Sequence, residues 1–598
     1  MPKSLLTRRA FLSKTSISTL AATSSVLLAD VSAPIVARTE TPAPKAVTPV
    51  EKKPLDKQLD AYIALYMSAM NAPGMTLALT DASSTLRTAG YGFANVDQHI
   101  AVNPSHLFQI GSITKSFLAL VLMQLRDEGK LDLQKPILDY LPWLPISEPF
   151  GPITVHHLLT HTSGLPDNLT LFPSNPSARI AQGFTPGEHF HYCNVGFDIL
   201  GELASSLDKR PWRNSVQARI FDPLGMTETT GVITTSSRDR AATGYQPFWD
   251  DQVYPRQGKL AATCNLVMDD TAGCIASTPG DMARYLRMLL NRGMGPNKRL
   301  ISEESFTLFS TPHIKAEEFS PTSSYGYGIA VDTLDGHKIL RHTGGMVAFA
   351  SSIHVDLDSG VAAFASINAM QGYRPTAVTE YAVTLLRAQK ESKPLQEAKP
   401  IIDPMEIENA ADYAGAFTAQ DGSKLTFTAQ GKRLSLVSSE NGNLPLEHAG
   451  GDIFLSTIPG QFTRYPLQFG RKQQPEAKPE ATIAANAPKQ PVVEVQYGPE
   501  WFITSAYEGP KAFEVPKEFA ACEGHYRSAS VWGGDARVFV QKGKLTFGGA
   551  PLTLIGDNLF RVGDDPWSPI TAEFHFLIEG KARLLTFLGE SFSRIEVD

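Results

Sequence analysis

Ser112 and Lys115 stand in the stretch Phe108-Gln-Ile-Gly-Ser-Ile-Thr-Lys-Ser-Phe-Leu-Ala-Leu-Val-Leu-Met-Gln-Leu-Arg-Asp-Glu-Gly-Lys-Leu131. On a helix this spacing puts hydroxyl and amine on one face. A serine hydroxyl is a weak nucleophile until a neighbouring base takes its proton, and an amine within reach can do so. Gly111 supplies a turn into the helix, Leu118, Val121, Leu122 and Leu125 recur at helical spacing, and Gly129 stops it. A serine at the start of that helix meets free backbone N–H groups and the positive end of the dipole. The pattern alone is weak, since about two Ser-x-x-Lys arise by chance in a chain of this size. Ser206-Leu-Asp-Lys209 is a second instance, read as the polar end of another helix.

Two further segments carry polar groups at suggestive positions. Tyr192-Cys193-Asn194, the only Tyr-x-Asn in the chain, lies in a turn running into the apolar stretch that ends at Glu202. Taken alone it reads equally as a packed aromatic beside a helix-capping Asn. His342-Thr343-Gly344-Gly345 closes a predicted strand, where glycines permit close backbone approach at a sheet edge. Alone it reads as a hairpin turn with a surface His.

In this order, Ser-x-x-Lys, Tyr-x-Asn and His-Thr-Gly resemble the signatures of the serine β-lactamase and penicillin-binding-protein superfamily. The chain looks closest to the class C β-lactamase branch, with its D-aminopeptidase, D-alanyl-D-alanine carboxypeptidase and esterase relatives. Thr154-Val-His-His-Leu-Leu-Thr-His-Thr-Ser-Gly-Leu165, Pro223-Leu-Gly-Met226 and Ala272-Gly-Cys-Ile-Ala-Ser-Thr-Pro-Gly-Asp281 extend the likeness over the whole first domain. The resemblance implies acyl transfer through a covalent intermediate, with Ser112 as nucleophile and Lys115 and Tyr192 sharing the proton work. Either a neutral Lys115, or an ionised Tyr192 beside a cationic Lys115, would serve. Asn194 would hold Lys115 and the substrate amide, and His342, Thr343, Gly344 and Gly345 would line the substrate. The backbone N–H groups of Ser112 and Gly345 would form the oxyanion hole, each donor worth roughly 3 kcal/mol at the transition state. β-Lactamases usually carry Lys where this chain has His342, and His is largely neutral near pH 7. That departure points to a peptidase or esterase. No cofactor or metal is implied. His157 and His161 are four apart on a predicted helix, but no acidic third ligand accompanies them. Cys193 alternates with Tyr192 and is read as packing.

The elements that must position these groups follow from periodicity. Helices are expected over Leu55–Met70, Ala276–Asn291 and Pro375–Gln389. Strands are expected at Gly74–Leu79, Leu86–Ala94, Tyr327–Asp332, Lys338–Thr343, Ala348–Asp356 and Gly360–Asn368. Strands at both ends with helices between predict one sheet with a helical insertion beside it, and the resemblance implies that this is the antiparallel sheet of an α/β (α+β) β-lactamase-like hydrolase domain over 54–390. A linker spans 391–404. Beyond it short alternating strands and Gly turns form an internal repeat: Pro445-Leu446, Gly450 and Phe454 match Pro551-Leu552, Gly556 and Phe560 at equal offsets. Gly415-Ala-Phe417 matches Gly524-His-Tyr526, and Gly498-x-x-Trp501-Phe502 faces Gly589-x-x-Phe592. Two small up-and-down barrels are predicted at 405–510 and 515–598, with a Pro/Ala/Lys/Gln-rich insert at 471–490 read as disordered. They resemble the lipocalin-like domains appended to some relatives, where such barrels restrict access to the cleft.

With 598 residues, several domains are expected, and a net charge of −7 without a basic face argues against nucleic acid. Lys3, Arg8, Arg9 and Lys14 precede a mild apolar run, and Thr7-Arg8-Arg9-Ala10-Phe11-Leu12 resembles a twin-arginine export signal. Cleavage is expected after Ala37, an uncleaved anchor being the alternative, with a flexible tether over 38–53 and a periplasmic or secreted mature protein. No other stretch is long and apolar enough to span a membrane. Cys264 and Cys274 either pair across a hairpin or stay as buried thiols. The expected activity is hydrolysis of amide or ester bonds, foremost in D-amino-acid or cell-wall-type peptides, with esters or β-lactams as alternative substrates. A non-catalytic penicillin- or peptide-binding protein is the competing class.

Overall fold

The computed structural model describes residues 54–596 apart from 168–169, 173–177, 250, 254, 264–269, 318, 371–373, 402, 439–441, 459, 473–489 and 531. The export segment, the tether, Cys264 and most of the 471–490 insert therefore lie outside the described residues.

The first domain is built on a nine-stranded antiparallel sheet. In chain order its strands are β1 (Gly74–Asp81), β2 (Thr85–Asn95), β3 (Ile100–Ala101), β4 (Ile314–Lys315), β5 (Ser324–Tyr325), β6 (Ala330–Leu334), β7 (His337–Met346), β8 (Phe349–Asp356) and β9 (Val361–Ile367). In space the order is β4-β5-β6-β7-β8-β9-β1-β2-β3, so the two ends of the domain meet where Leu77 pairs with Ala365. Central strands are buried on both faces, which is why β8 and β9 read as nearly unbroken apolar and small residues. Leu77 and Ala365 face helices α1 (Pro54–Ala69) and α5 (Thr376–Lys390), packing on Leu59, Ile63, Val378 and Leu385. Ala78 and Phe364 face the other way, toward Leu286 of α4 (Pro279–Leu290) and Phe117 of α2 (Thr114–Asp127).

Helix α2 is buried on nearly every side, from Thr114 to Met123 and again at Leu125. A helix apolar all round has no solvent face to present and becomes the centre of the core. Phe117 stacks on Tyr285 at 3.8 Å and meets Phe221 edge-on. α3 (Asn194–Asp208) packs against it with Phe197, Leu200 and Leu203. No described helix is long and apolar enough to cross a membrane.

Two closed eight-stranded barrels follow, over Gly415–Ile503 and Gly524–Ile595. The repeat is structural as well as textual. Gly450 and Gly556 both end a strand at a register shift, and the matched Phe454 and Phe560 are each 1% exposed in their barrel cores. Pairing of Val495 with Phe502 and of Leu585 with Phe592 corrects the last match: Phe592 corresponds to Phe502, not Trp501. A strand alternates faces every residue, so the buried position fixes the register where the turn glycines slip by one. Segment 391–404 has no described helix or strand, yet Leu395, Ala398 and Ile401 pack on the α1/α5 layer, and the Gln396 carbonyl accepts from Gln58 and Tyr381. It is a pinned strap rather than a loose linker.

Candidate active site

Gly111 adopts φ 56° and turns the chain out of the short strand Phe108–Gln109. Residues 111–113 form a 3-10 turn and α2 begins only at Thr114, so Ser112 sits on the tight turn ahead of the helix. Two constraints require glycine at 111: the positive φ, and the fact that a Cβ there would lie 2.5 Å from the Gly345 backbone nitrogen. The Ser112 turn is thereby held against β7.

Lys115 is 0% exposed, and its Nζ has three neighbours: Ser112 Oγ at 3.1 Å, Asn194 Oδ1 at 2.6 Å and the Ala272 carbonyl oxygen at 2.8 Å. Burying an amine without partners would cost several kcal/mol. Here two fixed acceptors take two N–H bonds, and the third direction faces Ser112. A neutral amine accepts the serine proton along that line, and an ammonium donates it back, without movement of heavy atoms. Asn194 is itself fixed, because Asp167 accepts from both its backbone N–H and its Nδ2. With Nδ2 engaged there, Oδ1 faces Lys115. Burial pushes the Asp167 carboxyl up against the pull of these two bonds and of Lys115.

The Tyr192 ring lies beneath the same amine, with Nζ 5.0 Å from its centroid. Among the described residues its hydroxyl makes no hydrogen bond to Ser112 or Lys115, whereas Lys115 Nζ is bonded to Ser112 Oγ. His161 packs on Tyr192 at 4.2 Å between ring centroids, and its Nδ1 accepts from the Cys193 N–H. That bond places the proton on Nε2, and burial, then the nearby Lys115, hold the ring neutral. Cys193 is 1% exposed with its sulfur on the Pro166 carbonyl, and burial pushes its thiol up, as its packing role requires. His157 closes the capping box of the helix Val155–Leu159, while His156 Nδ1 sits 2.8 Å from the Tyr327 hydroxyl.

On β7, His342 is 1% exposed, and its side chain is engaged inside the protein. Nδ1 donates to the Thr343 carbonyl at 2.6 Å, and Nε2 accepts from the Tyr325 hydroxyl at 2.9 Å. Burial pulls its pKa down to about 3, so it supplies no positive charge at neutral pH. Thr343 and Gly345 are half-buried, and Gly344 is buried against the turn. A Cβ on Gly344 would collide with the Ile110 carbonyl, which the Ser351 hydroxyl also holds at 2.6 Å. Gly344→Ala is therefore expected to pry β7 from the Ser112 turn. Turnover should fall by about 100-fold or more, as when an oxyanion donor is lost, measured as kcat on a nitrophenyl ester.

The structure brings Ser112, Lys115, Tyr192, Asn194 and the 342–345 strand into one site. The second Ser-x-x-Lys falls elsewhere, with Ser206 and Lys209 exposed at the far end of α3. Sequence reasoning missed Asp167, the Ala272 carbonyl and Arg374. The Arg374 guanidinium lies against Gly345, where an added Cβ would strike it, and it senses Tyr192 electrostatically. It missed Trp567 of the second barrel too, which stacks on His189 at 4.4 Å and meets Phe184 edge-on, while Pro569 abuts Gly183. His189 is three residues before Tyr192, so the second barrel touches the segment that carries the site. Cys274 is buried near the Gly231 carbonyl, and its candidate partner Cys264 is outside the described residues.

A family model described as Beta-lactamase matches residues 59–388. Over 319 residues the chain is 27% identical to Penicillin-binding protein 4 of Amycolatopsis lactamdurans, covering 49% of this chain and 80% of that protein. It is 24% identical over 426 residues to Penicillin-binding protein 4* of Bacillus subtilis, covering 66% of this chain and 87% of that protein. Among solved structures, an octameric penicillin-binding protein homologue from Pyrococcus abyssi aligns with a TM-score of 0.51 at 22% identity, over 75% of this chain and 100% of that one. At that identity the likeness speaks to fold alone.

Proposed function

From the premise that the chain belongs to the Beta-lactamase family, we propose that it is an exported serine hydrolase that cleaves amide bonds in D-amino-acid or cell-wall-type peptides through an acyl-enzyme. The observation that carries this reading is Ser112 Oγ at 3.1 Å from a buried Lys115 whose other two directions are occupied by Asn194 and Ala272. Ser112 attacks the carbonyl carbon as its proton passes to Lys115. The oxyanion gathers at the Ser112 and Gly345 N–H groups, and Lys115 returns the proton to the leaving amine. Water then repeats the sequence to release the acid.

The preference for peptides over simple esters rests on charge. His342 is neutral, so the cation at this edge is the Arg374 guanidinium beside Gly345, suited to a carboxylate on the substrate. Export is supported by the twin-arginine-like Thr7–Leu12 segment. A panel of D-alanyl amides, short-chain nitrophenyl esters and a chromogenic cephalosporin tests the assignment. Fastest acylation is expected with the D-alanyl amides. Preference for the cephalosporin would overturn the peptidase reading, and absence of any covalent labelling by a fluorophosphonate would leave the non-catalytic binding protein.

The contact of Trp567 with His189 supports a role for the second barrel in substrate choice. Trp567→Ala is expected to change KM severalfold for a peptide of four or more residues while leaving nitrophenyl acetate hydrolysis within about twofold, since one stacked aromatic pair is worth ~1 kcal/mol. Equal effects on both substrates would reject size gating.

A further inference from the structure

Of the three groups around Lys115 Nζ, Ser112 is set by its own turn and Asn194 by Asp167. The Ala272 carbonyl belongs to neither arrangement, and lies in a segment without regular structure. What holds it can be followed residue by residue. Asp270 Oδ1 accepts from the Ala272 N–H at 3.1 Å and the Gly273 N–H at 2.9 Å, folding 270–273 into a side-chain-closed turn. The Thr271 N–H donates to Asp198 Oδ1 at 3.3 Å, and the Thr271 hydroxyl donates to the Phe197 carbonyl at 2.7 Å. A Cβ on Gly201 would overlap the Thr271 side chain, so glycine there lets the turn lie directly on α3. Asn194, Asp198 and Gly201 follow one another at four and three residues, on one face of that helix. One residue of the face binds Lys115 directly, and the next two seat the turn whose following carbonyl binds it again.

The seat also carries charge. Burial and then Asp270 push the Asp198 carboxyl up to about 7, while Lys115 pulls it down. Among the described residues, the Cys193 thiol also senses Asp198. An asparagine at 198 would still offer Thr271 an acceptor, so the hydrogen bond alone does not demand a carboxyl group.

We propose that Asp198, with Asp270, is the positioning residue for Lys115: it seats Thr271 so that the Ala272 carbonyl stays on Nζ. This rests on Lys115 being the base that activates Ser112.

The test is the second-order rate of Ser112 labelling by a fluorophosphonate, followed from pH 5 to 10 in the full chain. Asp198→Asn keeps a side-chain oxygen for Thr271, and its plateau rate is expected to stay within about twofold of the parent. Asp198→Ala removes the acceptor, and its plateau rate is expected to fall about tenfold. Circular dichroism and thermal melting establish that each variant is folded. Should Asp198→Ala fail to fold, Gly201→Ala, whose added Cβ overlaps Thr271, is expected to lower the plateau in the same way. A plateau in folded Asp198→Ala or Gly201→Ala within about twofold of the parent, or one in Asp198→Asn as low as in Asp198→Ala, overturns the seating role. An unlabelled parent overturns the nucleophile reading instead, and this inference with it.

Discussion

Replacing Ser112 with alanine is expected to abolish fluorophosphonate labelling and to lower kcat on every substrate by about 10⁴-fold or more, the scale on which removal of a nucleophile acts in serine hydrolases. The substitution deletes one oxygen from a half-buried position. Lys115 keeps its bonds to Asn194 and Ala272, and the Gly111 turn is untouched, so the fold should persist. One neutral hydrogen bond is worth only about 1 kcal/mol, so thermal melting should change little. Ser206→Ala, in the exposed second Ser-x-x-Lys, should leave both measurements at parental values. Substantial hydrolysis in Ser112→Ala with loss in Ser206→Ala would reverse the assignment.

The second large effect is expected at Lys115. Lys115→Ala should reduce kcat/KM by about 10³-fold, or ~4 kcal/mol of transition-state stabilisation. Lys115→Arg distinguishes a base from a mere positive charge. A guanidinium keeps the cation but does not give up its proton in a protein, so this variant should be as inactive as the alanine. Activity retained in Lys115→Arg would make the residue an electrostatic anchor and move the base to Tyr192. Stability changes oppose each other in the alanine variant. The Asn194 Oδ1 and Ala272 carbonyl lose a buried donor, at about 1–3 kcal/mol each, while the protein no longer buries an amine. Loss of rate far beyond any change in thermal midpoint would therefore locate the effect in catalysis.

Much of the site was legible before any coordinates, for a definable reason. Ser112, Lys115, Tyr192, Asn194 and the His342–Gly345 strand are distinguished by reactive or polar side chains or by glycine, and both leave marks in residue type and spacing. The two barrels were legible because their strands alternate and because the repeated glycines and phenylalanines occupy equivalent bulges and core positions. Three groups left no such mark. The Ala272 carbonyl is a backbone atom, and any residue could supply it. Asp167 lies 27 residues from Asn194, a separation with no periodic meaning. Trp567 reaches His189 from a different domain. His342 shows the limit from the other side: its neutrality near pH 7 could be expected from the imidazole, but its enclosure by Tyr325, Phe319 and Tyr192 depends on how β5 and β7 come together.

By itself, then, the sequence marked the candidate nucleophile and its amine partner, the order of the three signature segments, and a β-lactamase-like domain followed by two barrels, because local periodicity and residue chemistry encode them. The tertiary structure alone decided that Lys115 Nζ lies 3.1 Å from Ser112 Oγ, that Asp198 binds the turn behind it, that Arg374 rather than His342 brings the cation to Gly345, and that the second barrel leans on the segment before Tyr192. Each depends on a contact between parts far apart in the chain. Such contacts follow from packing the sheet, α2 and α3 around one core, and no spacing along the chain records them.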